Sequence, residues 1–286
     1  MPGSLLIADS SNQKKLAIFI HGSGPNDRDE TFLENKPFKD LAEGLLQYGI
    51  SSYRFDKRTK VAPLLCLDKD FSIDDEVTND VLNIIHYFHE DDSFKNYKIY
   101  IIGHSLGAMM SPRIALKAGN ELSGAVMLAG NARPLDSLLL EQFQYLNSLQ
   151  ESQDVESEIV KLKKQIAYLN SPKFNLQSPS DSLPLLLNAA YWKSLKDYDQ
   201  LKEFSKTTIP FFILQGEKDY QVCMVDYQLW KNAARGKSNI KLKSYPELTH
   251  LFMGSKGEHP SPSDYTEQQH VNKSVIKDIS LWIKEN

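Results

Sequence analysis

Ile101-Ile102-Gly103-His104-Ser105-Leu106-Gly107-Ala108 is the stretch that decides the fold. An apolar run, Lys98 to Ile102, ends in a G-x-S-x-G turn, and a segment of helical character follows it. Five residues alone are a short pattern; the strand before and the helix after give it weight. A serine hydroxyl is a poor nucleophile unless it is exposed at a sharp turn within reach of a general base, and the glycines keep such a turn sterically possible. Ser105 is therefore the candidate nucleophile. The bland alternative is a glycine-rich strand-to-helix turn with no chemical role.

Working outward, short apolar runs bounded by turn residues alternate with helical segments, the pattern of a mostly parallel sheet with helices on its faces. The expected strands are Leu5 to Ala8, Leu16 to Ile20, Ser51 to Phe55, Lys98 to Ile102, Leu122 to Ala129, Phe211 to Gln215 and Ile240 to Tyr245. Several are apolar without alternation, as strands covered on both faces are. Val77, Val81, Ile84, Ile85 and Phe88 recur at helical spacing, with Ser72 and Asp75 placed as a capping box. Pro37 opens a helix whose apolar face is Phe38, Leu41, Leu45 and Leu46, and Gly49 stands where a left-handed cap ends it.

From Asn131 to Lys206 this rhythm breaks. An amphipathic stretch runs through Leu140, Phe143, Leu146, Leu149, Ile159, Leu162, Ile166 and Leu169, and a second helical piece holds Leu185 to Leu187, Tyr191, Trp192, Leu195 and Tyr198. The expected division is a core of 1–130 and 207–286 with a helical cap insertion, 131–206, over one end of the sheet. No internal repeat is evident.

Composition narrows the function classes. The 286 residues carry 33 Lys+Arg against 37 Asp+Glu, a formal charge of −4, so no broad basic face for nucleic acid is expected. No apolar run reaches the roughly 18 residues of a membrane span, and Met1-Pro2-Gly3-Ser4 does not read as a signal peptide. A cytoplasmic protein is the expectation, with a trimmed secreted protein as the alternative. Cys66 and Cys223 are far apart, without ligands at metal spacing, and read as free thiols.

A nucleophilic serine needs an oxyanion hole, a base and an acid. Ile20-His21-Gly22-Ser23-Gly24-Pro25 ends an earlier strand, where a loop can aim a backbone N–H at the reacting centre. The Ser23 and Leu106 amides are the candidate donors; a simple tight turn is the competing reading. Where the serine turn follows a strand in this way, acid and histidine follow it in that order. Asp219, just past Phe211 to Gln215, is the candidate acid, with Glu217 as its rival. His250, in the loop after Ile240 to Tyr245, is the candidate base. Individually Asp219 reads equally as a turn residue or cap and His250 as a surface histidine. His104 is expected to pack or hydrogen-bond locally. His259 and His270 are downstream competitors for the base, and His86 and His89 read as solvated.

With these residues assembled, the chain resembles the α/β-hydrolase superfamily, and within it bacterial esterases related to acyl-peptidases and dienelactone hydrolases. The resemblance rests on His21 to Asp29, Arg54-Phe55-Asp56-Lys57-Arg58, Gly103 to Gly107, Ala132-Arg133-Pro134-Leu135 and Gln215 to Val222, and spans nearly the whole chain. It implies Ser105, Asp219 and His250 as a triad and the Ser23 and Leu106 amides as the oxyanion hole. Thr59 stands where the family usually has glycine after Asp-Lys-Arg, so the loop from Thr59 to Asp70 is expected to differ; an N-terminal strand common in the superfamily is expected to be missing. Arg28, Arg58 and Arg133 are expected to brace loops through Asp27, Asp29 or Asp56 before they bind substrate.

The function expected is hydrolysis of a small or medium acyl or aromatic carboxylic ester through an acyl-enzyme on Ser105, with no cofactor and no metal. Acyl-peptide or thioester hydrolysis uses the same residues, and a non-catalytic ligand-binding relative is the alternative of another class. Phe143, Tyr191 and Trp192 in the insertion are candidate pocket residues, as is Tyr145; gluing the insertion to the sheet is their competing role. Oligomeric state is not legible.

Overall fold

The computed structural model describes residues 1–8, 14–150, 152–257 and 259–286. Among these residues, seven strands form one sheet: β1 Gly3–Leu6, β2 Lys15–Ile20, β3 Ser51–Phe55, β4 Lys98–His104, β5 Gly124–Leu128, β6 Phe211–Gly216 and β7 Ile240–Tyr245. Their spatial order is β1-β3-β2-β4-β5-β6-β7. β1 runs antiparallel to β3 at one edge, and every other pairing is parallel. All seven expected strands are present, with β1 displaced toward the N-terminus and β4 running on to His104.

Alternation within each parallel strand divides the core between the two faces. In β2, Leu16, Ile18 and Ile20 join Ile99, Ile101 and Ile213 on one face, while Ala17 and Phe19 join Tyr100, Ile102 and Phe212 on the other. The first face is covered by α3 Asn79–Glu90, α4 Leu106–Ala118 and α9 Met224–Ala233, and the second by α1 Pro37–Gln47 and α10 Lys273–Glu285. α2, Arg58–Val61, is a single exposed turn. With helices on both sides there is no solvent face to demand polar residues, which is why β2, β5 and β6 are buried throughout.

The local signals work as the sequence predicts. Pro37 occupies the first turn of α1, and Gly49 takes the left-handed conformation (φ 77°) beyond its end. Ser72 and Asp75 make the reciprocal capping box: the Asp75 N–H donates to Ser72 Oγ (3.3 Å) and the Ser72 N–H to Asp75 Oδ2 (3.0 Å). A π-turn, Asp74–Thr78, then leads into α3.

Between β5 and β6 the described chain holds helices and turns only: α5 Leu135–Leu149, α6 Gln153–Leu169, α7 Ala189–Lys196 and α8 Gln200–Lys206. Leu139, Leu162, Leu169, Leu183, Ala189 and Trp192 form a separate apolar cluster in this helical insertion. Phe204 of α8 belongs instead to the core beneath the sheet, against Phe211 and Trp230. Leu185 to Leu187 do not begin the second helical piece. Leu185 and Leu186 lie in a turn at positive φ (58° and 57°), and α7 starts only after the Asn188 cap accepts the Tyr191 N–H.

Because β2 is followed by β3 on one side and β4 by β5 on the other, the chain leaves the C-terminal ends of β2 and β4 in opposite directions. This opens the crevice where sheets of this kind bind ligands. Phe212, fully buried against Trp282 (ring centroids 5.9 Å apart), is central to the second face. Phe212→Ala is expected to cost about 3–5 kcal/mol in chemical denaturation, from lost burial plus the cavity left behind.

Candidate active site

The serine turn is sterically extreme. Ser105 has φ 52° and ψ −115°, outside the regions comfortable for a residue with a Cβ. A Cβ on Gly103 would sit 2.5 Å from the Gly107 carbonyl oxygen, and one on Gly107 would sit 2.3 Å from that of Ile20. The two glycines thus let α4 start directly over the ends of β4 and β2. The Ser105 N–H is held by Leu128 O (2.9 Å), and Leu106 is the first residue of α4, whose amide has no intrahelical acceptor.

The loop after β2 is pressed against this turn. A Cβ on Gly22 would stand 3.2 Å from Ser105 Cβ, so only glycine allows so close an approach without displacing a neighbour. The next residue, Ser23, has an N–H with no hydrogen bond among the described residues.

The acid and histidine loops meet behind the serine. At the end of β6, a Cβ on Gly216 would lie 2.3 Å from Leu248 O, so this glycine also permits contact between loops. His250 Nδ1 is 2.7 Å from Asp219 Oδ2, and both side chains are buried. The N–Hs of Gln221 and Val222 donate to Asp219 Oδ1 (2.8 and 2.9 Å), and Gln215 Nε2 donates to Oδ2 (3.0 Å). A carboxylate so thoroughly bonded is fixed in position, and its contact with Nδ1 leaves the lone pair on Nε2 of His250. Glu217 points elsewhere, accepting from Ser244 Oγ (2.6 Å) on the exposed side of β7.

His104 is not free to act as a base. Its Nε2 donates to the His250 carbonyl (3.0 Å), and its Nδ1 forms a buried ion pair with Glu30 Oε2 (3.0 Å). Burial opposes the charge on His104, but the neighbouring Glu30 carboxylate outweighs it and raises the pKa. Burial likewise opposes ionisation of Glu30; the charges of His104 and His21 and the Gly22 N–H outweigh it and lower the pKa. Of the other histidines, His270 pairs with Asp40, His86 lies exposed beside Glu90 and Glu121, and His259 is exposed.

Ser105 and His250 line one cleft of about 430 Å³, together with Ser23 and Glu30. Leu135, Leu138 and Leu139 of α5 and Leu185 form an apolar wall contributed by the insertion, and Phe32, Tyr220 and Tyr265 face it from the core. The expected pocket residues are elsewhere, which corrects the sequence reading. Tyr191 is buried with its hydroxyl on Glu76 Oε2 (2.6 Å), and Trp192 packs inside the insertion with Nε1 on Pro184 O (3.0 Å). Phe143 packs against the insertion's own apolar cluster, and Tyr145 stacks on Tyr220 and donates to Pro260 O (2.8 Å). The residues missed carry a readable signal, since Leu135, Leu138 and Leu139 share a helix face.

The arginines brace loops as expected, though only Arg28 uses an anticipated partner. Arg28 pairs with Asp56 (2.5 Å), Arg58 with Asp80, and Arg133 with Asp226 (2.7 Å) and Glu141 (2.5 Å). The stretch after Thr59, expected to differ from the family, forms an exposed 3₁₀ turn, Pro63–Leu67, and Thr59 Oγ1 donates to Gly24 O (3.1 Å). Both cysteines are free, no cluster of metal-ligating side chains occurs among the described residues, and no helix among them is long and apolar enough to cross a membrane.

A parallel sheet carrying a strained serine turn, with an Asp–His pair delivered by later strands, defines the α/β-hydrolase class. Within it, the chain belongs to the family described as serine aminopeptidase S33, whose pattern matches residues 35–256. It is 34% identical over 289 residues to Esterase EstD of Thermotoga maritima; the match covers 99% of this chain but only 65% of that relative's length. Among solved structures, it resembles the ferulic acid-bound Est1E of Butyrivibrio proteoclasticus, with a TM-score of 0.62, 16% identity and coverage of 99% and 95% of the two chains. It also resembles a monoacylglycerol lipase of Paleococcus ferrophilus, with a TM-score of 0.57, 14% identity and coverage of 99% and 98%.

His21 gives the site region a pH signature. Burial, together with the nearby Lys57 charge, lowers its pKa from the ordinary 6.5 to about 4 against the opposing pull of Glu30. Between those values the unfolded chain binds more protons than the folded one, so stability falls as pH drops from 6.5 to about 4. The slope from this one group is at most about 1.4 kcal/mol per pH unit. In urea titrations across this range, His21→Asn is expected to remove that part of the slope, whatever it does to stability at neutral pH.

Proposed function

We propose that the protein is a serine carboxylesterase using Ser105 as nucleophile, His250 as general base and Asp219 as the acid that orients it. The observation that carries this reading is the buried Asp219–His250 contact of 2.7 Å, in a cleft His250 shares with the strained Ser105. In this mechanism His250 Nε2 takes the Ser105 proton as Oγ attacks the ester carbonyl. The Ser23 and Leu106 amides stabilise the oxyanion, and the protonated His250 then delivers its proton to the departing alcohol. Water, deprotonated by the same nitrogen, releases the acid from the acyl-enzyme.

The substrate class follows from the walls. Leucines of α5 and the turn before α7 offer apolar surface to an acyl or aromatic group, and in this reading residues 131–206 act as a cap over the cleft. The name of the matched family raises cleavage of peptides from an amino terminus. Such a substrate brings an ammonium that wants a carboxylate. Glu30, the one acid among the cleft-lining residues described, is already engaged by His104 and the Gly22 N–H. That favours a neutral small-molecule ester.

Ser105→Ala is expected to abolish p-nitrophenyl butyrate hydrolysis, and turnover unchanged by the substitution would overturn the assignment. The two carboxylates of the loop after β6 should separate cleanly. Asp219→Asn is expected to lower kcat by about 10³–10⁴-fold, while Glu217→Gln stays within about twofold, as steady-state kinetics on the same ester would read.

A further inference from the structure

We propose that Lys57 is a positioning residue for the oxyanion hole, fixing and polarising the Gly22–Ser23 peptide through a hydrogen bond to the Gly22 carbonyl. The proposal rests on the assignment of the Ser23 amide as an oxyanion donor. The Gly22 carbonyl and the Ser23 N–H belong to one planar trans peptide group, so holding the oxygen sets the direction of the N–H.

Lys57 follows β3 and is only 2% exposed. Its Nζ donates to Gly22 O at 2.7 Å, and Asn26 Nδ2 donates to the same oxygen at 3.2 Å. On the other side of Gly22, the N–H is held by Glu30 Oε1 at 2.5 Å. A full positive charge on the carbonyl draws electron density from the amide nitrogen and makes its N–H a stronger donor. This is useful where negative charge builds in the transition state.

The ammonium is itself held. Glu76 Oε1 forms a buried ion pair with it, and Glu76 Oε2 accepts the Tyr191 hydroxyl from α7 (2.6 Å). A chain of contacts thus runs from the insertion to the peptide beside the nucleophile. A buried ion pair is a poor device for stability, since well-packed apolar residues serve equally well. Its placement on one catalytic-loop carbonyl is what gives it a use.

Replacing Lys57 alone by an apolar residue would strand the Glu76 charge, so the main test is the double variant Lys57→Met/Glu76→Gln, with Lys57→Gln as a second variant; the result is read on whichever melts cooperatively. With p-nitrophenyl butyrate, kcat is expected to fall about 10–100-fold with KM changed less than about threefold, below the 10²–10³-fold loss of a deleted donor. The rate of Ser105 labelling by a fluorophosphonate should fall in parallel, and Lys57→Arg, which keeps a cationic donor, should recover most of the loss. A folded neutral variant whose kcat and labelling rate stay within about threefold of wild type would overturn the role of Lys57. Failure of the wild type to label at Ser105 would instead sink the underlying serine-esterase reading.

Discussion

The Glu30 carboxylate is the interaction on which the geometry of the site depends. One oxygen accepts the Gly22 N–H and the other pairs with His104, whose far nitrogen donates to the His250 carbonyl. The end of β4 and the loops after β2 and β7 are tied together at one buried group. Glu30 itself has φ 52°, a conformation a non-glycine residue holds only when its surroundings insist on it. Its N–H is held by Asp27 O (2.9 Å) while its carboxylate is held by Gly22 and His104. Without that carboxylate, the serine turn would still be made by its glycines, but the loops on either side would lose a tie that Lys57 and Asp219 only partly replace, and drifts of about an ångström cost active-site geometry dearly.

The sheet provides the rest. Parallel strands deliver Gly22, Ser105, Asp219 and His250 to the same edge because each lies just past the C-terminal end of its strand. The glycines at 103, 107 and 216 remove the side chains that would keep these ends apart. Burial on both sheet faces makes the platform rigid, so tolerance to change is left to the insertion and the outer loops.

Much of this was legible in the chain. Unalternating apolar runs marked the strands, since strands buried on both faces need no polar side, and chain order put an acid and a histidine after Ser105 without itself choosing Asp219 over Glu217 or His250 over His259 and His270. What was illegible depended on long-range packing. Tyr191 and Trp192 looked like pocket aromatics because composition cannot say which way a buried ring faces; one hydroxyl turned out to serve Glu76, and one indole the Pro184 carbonyl. Glu30, Lys57 and Glu76 carried no motif of their own, because a buried charge is recognisable only once its partner is beside it. Arg58 and Arg133 likewise found Asp80 and Asp226, acids supplied by elements that follow them in the chain.

A serine-esterase mechanism at this site requires a covalent intermediate on Ser105. Acid quenching during turnover of p-nitrophenyl butyrate, followed by peptide mass spectrometry, tests it directly. The expected result is a butyryl group on the Ser105 peptide, enriched in Asp219→Asn if deacylation slows more than acylation. Steady turnover with the acyl group on another side chain, or with no acyl-protein at all, would contradict it.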